Sequence, residues 1–260
     1  MMVKWLKRSY MGLIFLFLYA PIIVLIAFSF NSSKSRSQWG GFTFKWYLDM
    51  LGDRQIREAI AFTIVIAVVS TVVSTLFGTV AAIGIHNTGK VGRTAMLNLN
   101  NVPVLNPDII TGVALMTLFI STGLPLGPIP MLLAHIVFST PYVILAVLPK
   151  LRQMNRFTAE AAMDQGETPD MALRKVILPE IATGIVTGSL MAFTMSIDDF
   201  VISFFTAGTE ATNLSILIYS MAKRGVKPSI NALSTVMFLV VLVLLLVINR
   251  KSEKGEELLS

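Results

Sequence analysis

The chain contains no cysteine, which removes disulfides, zinc–thiolate sites and cysteine nucleophiles together. It is also short of charge. Only 14% of its residues are charged, against roughly a quarter in an average soluble domain. There are two histidines, His86 and His135, with no metal-ligand spacing between them, so each reads as a structural residue. What fills the 260 residues is apolar: 54% of them, with a mean hydropathy of +0.73. The apolar residues fall in long blocks, which a soluble core does not need. A helix crossing a bilayer requires about 20 of them in succession. The net charge of +6 is that of topology determinants and contact with anionic membrane lipid, and no nucleic-acid partner is expected.

Six blocks are long enough to span. They run over Met11–Phe30, Ala59–Ile85, Leu97–Phe119, Pro128–Leu148, Ile181–Phe205 and Ala232–Ile248. The first follows Lys4, Lys7 and Arg8, as a signal peptide would, but it is longer than a signal core and holds Pro21, so it reads as an uncleaved span. Placing both termini in the cytoplasm puts 13 of the 21 basic residues on that side, the bias that orients membrane proteins. The eight left outside include Lys34, Arg36 and Lys45, in a segment whose Trp39, Trp46 and Tyr47 suit the membrane interface, and Lys223, Arg224 and Lys227, a candidate docking loop. With no repeat or soluble module, residues 1–260 read as a single transmembrane domain of all-α class.

The third block is irregular. Asn98, Asn100, Asn101, Pro103, Asn106, Pro107 and Asp108 crowd its first half, and the prolines remove backbone donors. Broken backbone at membrane depth persists only inside protein or beside a cavity, which predicts a place within the bundle. Alternatively the polar stretch is a loop, and the span starts after Asp108.

Two features carry function. The first is the cytoplasmic segment over residues 157–179. Glu160 lies in the first turn of a short helix, with Ala161 and Ala162 leaving its surface smooth. Gly166 permits a bend, and Thr168, Pro169 and Asp170 read as cap, first helical residue and first-turn acid of a second helix. Such a helix suits a docking partner that grips it in a groove; the alternative is a solvated amphipathic loop with no partner. The second feature is Asp198 and Asp199, adjacent carboxylates inside the fifth block. Each costs about 2.5–3.5 kcal/mol to insert at a span centre, so the pair is a functional hypothesis by default. Successive helical residues point about 100° apart, so the two acids serve different surfaces. With Asp108 as a third acid and Phe200, Phe204 and Phe205 nearby, they would form a wall for a cation. An aspartate pair capping a helix break, or bonding to a neighbouring subunit, is the structural alternative. No Arg or Lys lies well inside any block, which disfavours an anionic cargo. Gly184 and Gly188 add the spacing of close helix packing.

Glu160-Ala161-Ala162, Gly166 and Ile177-Leu178-Pro179 together resemble the EAA signature of ABC importer permeases. The stretches at Tyr19–Ile23, Phe28–Ser33, Pro107–Ile110, Met195–Phe200 and Ile218–Met221 resemble permease subunits of the spermidine/putrescine type. The resemblance implies a six-span type I importer fold, with Glu160, Ala161, Ala162, Gly166, Ile177 and Pro179 in the segment that couples to the ATPase. It further implies a second permease forming a heterodimer, two ATP-binding subunits and a periplasmic polyamine-binding protein in a bacterial inner membrane. The cargo would be a polyamine or, on the same scaffold, another small cationic solute. A stand-alone channel or membrane enzyme is the remote alternative. ATP and magnesium would sit on the partner subunits, with no cofactor in this chain. Gly84–Lys90 nearly spells a phosphate-binding loop, but Val91 stands where Ser or Thr would hold magnesium, and an apolar span precedes it. No catalytic constellation is present.

Overall fold

The computed structural model describes residues 2–35, 37–155, 157–158, 163–164, 166, 168–224 and 228–257, the side chains of 2–6 and 247–257 excepted. The described residues are helical, with one isolated antiparallel bridge between Asn31 and Phe42. The helices are α1 (Met2–Ser29), α2 (Lys45–Gly52), α3 (Arg54–Asn87), α4 (Lys90–Leu105), α5 (Asp108–Ser121) and α6 (Pro128–Gln153). They continue with α7 (Pro169–Glu180), α8 (Ala182–Asp198), α9 (Val201–Thr206), α10 (Leu214–Lys223) and α11 (Pro228–Glu257).

Four helices are long and apolar enough to cross a membrane. The count reaches six if α4 with α5, bent by 104°, and α7 with α8, bent by 67°, are each one broken span. Neither half of the first pair suffices alone, because the 14 residues of α5 reach only about 21 Å at 1.5 Å per residue. The break falls at Asn106 and Pro107, where Asn106 takes the extended conformation that a following proline favours. The expected burial of this stretch is not met within the chain. No residue of α4 is buried, and Leu99 and Leu105 are 73% and 81% exposed.

The chain forms two compact units, Met1–Ala59 with Leu217–Val240, and Ile60–Ile216 with Val241–Ser260. In the first, the apolar stretch of α1 is left uncovered, with Phe17 78% exposed. Beyond α1, Asn31 organises the turn: its Oδ1 accepts from the backbone of Ser33 and Gly40, its Nδ2 donates to Gln38, and its carbonyl accepts from Trp46 Nε1 at 2.6 Å. Phe30, Phe42, Phe44 and Tyr47 pack ring on ring around it.

The second unit is built on α6. Val143, Ile144, Val147, Leu148 and Leu151 of α6 pack with Ala82 and Ile85 of α3 and with Ile181 and Ala192. Gly184 and Gly188 bring α8 against the α6 backbone: a Cβ at 188 would stand 3.1 Å from Val143 Cα, and one at 184 would stand 3.0 Å from the Ala146 carbonyl oxygen. The carbonyls of Ile85 and His86 at the end of α3, and of Thr88 just beyond it, are gathered by the Arg93 guanidinium, which donates to all three.

Candidate functional site

The fifth apolar block is a broken helix, and the break falls at the aspartates. α8 ends at Asp198, Asp199 turns extended, and α9 restarts at Val201. The residue that stops one helix also starts the next. Asp199 is 9% exposed, and its carboxylate accepts from the backbone N–H of Ile202 at 3.2 Å and Ser203 at 2.7 Å. These are donors that the first turn of a helix leaves unpaired. Asp198 is exposed instead, and its carbonyl accepts from Ser215 Oγ.

Around the break lies a buried polar network. His135, in the first half of α6 and 1% exposed, places Nδ1 2.6 Å from Ser196 Oγ and Nε2 2.9 Å from Ser203 Oγ. Asp199 Oδ2 lies 3.6 Å from the same Nε2. Ser196 Oγ continues to Ser70 Oγ at 3.1 Å, and Ser70 donates to the Ala67 carbonyl. On the other side, Asn213 Nδ2 donates to Ser203 Oγ at 2.8 Å and to the Asp199 carbonyl at 3.2 Å, while its Oδ1 receives the Ile216 N–H. Asn213 therefore ties the start of α10 to the start of α9.

The aromatic residues follow the break outward. Phe200 and Phe204 lie with ring centroids 5.4 Å apart, and Phe204, 49% exposed, meets Phe205 edge-on. Asp108 is exposed in the first turn of α5. One turn later Gly112 lets α5 approach α9, since a Cβ there would lie 3.0 Å from Phe205 Cδ2. Exposed carboxylates and aromatic faces in a span can attract a cation, and among the described residues no group of acids and histidines could hold a metal ion.

Of the coupling residues, Glu160, Ala161 and Ala162 lie outside the described residues, as do Arg36 and Lys227. Gly166 has φ +90°, the left-handed region that glycine alone enters without strain, and donates to the Met163 carbonyl. Thr168 caps α7 by accepting from the Met171 N–H, with Pro169 and Asp170 in the first turn, as the sequence indicates. Asp170 pairs with Arg174 one turn on, and a single widened turn over Leu173–Ile177 leads to Pro179.

Sequence reasoning gave His135 a structural role but passed over its partners Ser196 and Ser203, and Asn213 beyond them. The signal was there: an imidazole within an apolar span is costly unless it is paired, and its partners have to be polar residues of other spans.

Residues 74–250 match the family described as "Binding-protein-dependent transport system inner membrane component". The chain is 38% identical over 228 residues to the putrescine transport system permease protein PotI of Escherichia coli strain K12, covering 85% of this chain and 81% of that one. It is 35% identical to the spermidine/putrescine transport system permease protein PotC of the same strain, over 97% of both chains. Against PotC of Haemophilus influenzae the identity is 34%, over 92% and 93%. A crystal structure of a bacterial ABC transporter that imports the acidic polysaccharide alginate superposes with TM-score 0.75 at 15% identity, over 96% of each chain. A crystal structure of a bacterial alginate ABC transporter in complex with alginate pentasaccharide-bound periplasmic protein gives 0.71 at 18%, over 96% of this chain and 95% of the other. At such identities the likeness speaks for the fold alone, that of type I importer permeases. The chain belongs to the binding-protein-dependent transport system inner membrane components: it is a multi-pass ABC importer permease, a transporter component and not an enzyme.

Proposed function

We propose that this chain forms, with a second permease, the translocation pathway of an importer for polyamines of the spermidine and putrescine type. The observation that carries this reading is kinship at 34–38% identity with putrescine and spermidine/putrescine permeases over most of their length. Asp198 fits the cargo. It is an exposed carboxylate at the end of a membrane helix, two residues before Phe200, whose ring packs with Phe204, and an ammonium there would replace water contacts by charge and cation–π attraction. Asp108 is a second exposed acid for the same wall, while Asp199 maintains the backbone that presents it. The uncovered α4 and α1 are surfaces for the second permease and for lipid. Both termini lie in the cytoplasm, two ATP-binding subunits carry ATP and magnesium there, and a periplasmic binding protein delivers the polyamine.

The test is ATP-driven uptake of labelled spermidine and putrescine by the full complex in proteoliposomes. Asp198→Asn keeps the shape and removes the charge, and uptake is expected to fall by roughly tenfold or more while assembly and basal ATP hydrolysis persist. Unchanged uptake would remove Asp198 from the pathway.

The segment over residues 157–179 is the part that docks on the ATPase, with Gly166 at its turn and Ile177 and Pro179 at its exit. Because φ is +90° at Gly166, a β-branched residue there costs about 1–2 kcal/mol in backbone strain and redirects the chain ahead of α7. Gly166→Val is expected to reduce the stimulation of ATP hydrolysis by loaded binding protein roughly fivefold. Gly89→Val, at a site with open space and ordinary φ, leaves it intact. Equal stimulation in the two variants would deny Gly166 a coupling role.

A further inference from the structure

The polar network at the break is more than internal solvation, because its hydrogens can be placed. Ser203 Oγ accepts from Asn213 Nδ2, an amide that only donates, so the Ser203 hydroxyl hydrogen is free to point at His135 Nε2. The other ring nitrogen, Nδ1, then carries the proton and donates to Ser196 Oγ. Ser196 passes its own hydrogen to Ser70, and Ser70 passes its hydrogen to the Ala67 carbonyl. Every donor in the chain from Asn213 to Ala67 finds an acceptor in this one arrangement. With a proton on Nε2, the Ser203 hydroxyl would receive two donors and keep a hydrogen with no acceptor. Asp199 Oδ2, at 3.6 Å, is too far from Nε2 to take a hydrogen bond in its place.

The two serines stand on opposite sides of the interruption, Ser196 in α8 and Ser203 in α9. Asp198 lies between them. We infer that His135 is a positioning residue of the translocation site: its imidazole, held in the Nδ1–H form, bridges Ser196 to Ser203 across the break and so sets where the exposed Asp198 carboxylate stands. The inference rests on the reading of Asp198 as a pathway residue. It gives a reason for an imidazole in particular. Asparagine offers a polar atom near the place of Nδ1 and glutamine one near the place of Nε2, but neither spans both serines with a donor on one side and an acceptor on the other.

The chain has no cysteine, so a single cysteine reports on one place. In the assembled complex in nanodiscs, Asp198→Cys is treated with a small cationic thiosulfonate, and the rate of labelling is read from the mass of this chain. The measurement is repeated with His135→Ala, His135→Asn and His135→Gln. Ser35→Cys, at an exposed position in the turn after α1, is the control for general disruption. The expected result is that Asp198→Cys is labelled in the otherwise unaltered chain. His135→Ala changes that rate by roughly fivefold or more, with the Asn and Gln variants in between and the rate at position 35 constant. If His135→Ala prevents assembly, the Asn and Gln variants decide: labelling at the unaltered rate in both overturns the inference. Labelling of Asp198→Cys that is indifferent to all three substitutions overturns it too, and leaves the pathway reading standing. No labelling in the otherwise unaltered chain overturns the pathway reading and this inference with it.

Discussion

Gly188→Leu is expected to abolish accumulation of the folded protein, whereas Gly84→Leu leaves it unaffected. Both glycines sit in apolar membrane helices, and composition does not distinguish them. The space around them does. A Cβ at 188 already lies 3.1 Å from Val143 Cα and 3.3 Å from Ala146 Cβ, and the first of these neighbours is backbone that cannot swing aside. At position 84 nothing lies within 4 Å. A leucine at 188 would force α8 away from α6 and open the cluster in which Val143, Val147, Ile181 and Ala192 are each 0% exposed. Overpacking in a rigid core costs about 1–3 kcal/mol even when side chains can move, and here a helix has to move. The check is the folded fraction after detergent extraction, followed by unfolding in denaturing detergent. Gly188→Ala, which adds one carbon at a tight contact, should fall between the two leucine variants. A Gly188→Leu protein that extracts and unfolds like its parent would show that α8 and α6 do not meet as described.

How much of this was legible in the sequence depends on where the physics is local. The apolar blocks are legible because crossing a bilayer demands some 20 apolar residues in a row, whatever they pack against. The break at Asn106 and Pro107 is legible because proline removes a donor and constrains its predecessor. So is the start of α7, where Thr168, Pro169 and Asp170 act on their own turn. The interruption after Asp198 is of another kind. Neither proline nor glycine marks it, and the residues on both sides are good apolar span formers. What ends α8 there is a side chain, Asp199, reaching forward to Ile202 and Ser203, and its position beside His135 depends on a helix 61 residues away in sequence from Ser196. The sequence left both roles open for the aspartate pair, pathway wall and helix cap. The geometry divides the pair, with one residue turned inward and the other outward. Exposure of α4 was unreadable for a related reason: the polar crowding shows that its backbone needs protein or water nearby, not that this chain provides the cover.

Asp199→Ala is expected to destabilise the protein far more than Asp198→Ala, although the two residues are adjacent and chemically identical. Removing the Asp199 carboxylate leaves the N–H groups of Ile202 and Ser203 without an acceptor in a region only 0% exposed at both residues. Inside a membrane domain no bulk water replaces the lost bonds. A lost cap costs about 0.5–2 kcal/mol in soluble proteins, and a buried donor left unsatisfied costs about 1–3 kcal/mol, so a loss of about 2–4 kcal/mol follows for the pair. The damage would reach Asn213, whose Nδ2 also binds the Asp199 carbonyl and whose Oδ1 starts α10. Asp199→Asn, which retains one side-chain oxygen as an acceptor, should recover part of the loss. Asp198→Ala removes no side-chain hydrogen bond or ion pair seen among the described residues and should unfold with its parent while failing in uptake. Unfolding in denaturing detergent, measured side by side for the three variants, separates the roles. Equal stability of Asp199→Ala and Asp198→Ala would mean that the break does not depend on its cap, and that both acids are available to the cargo.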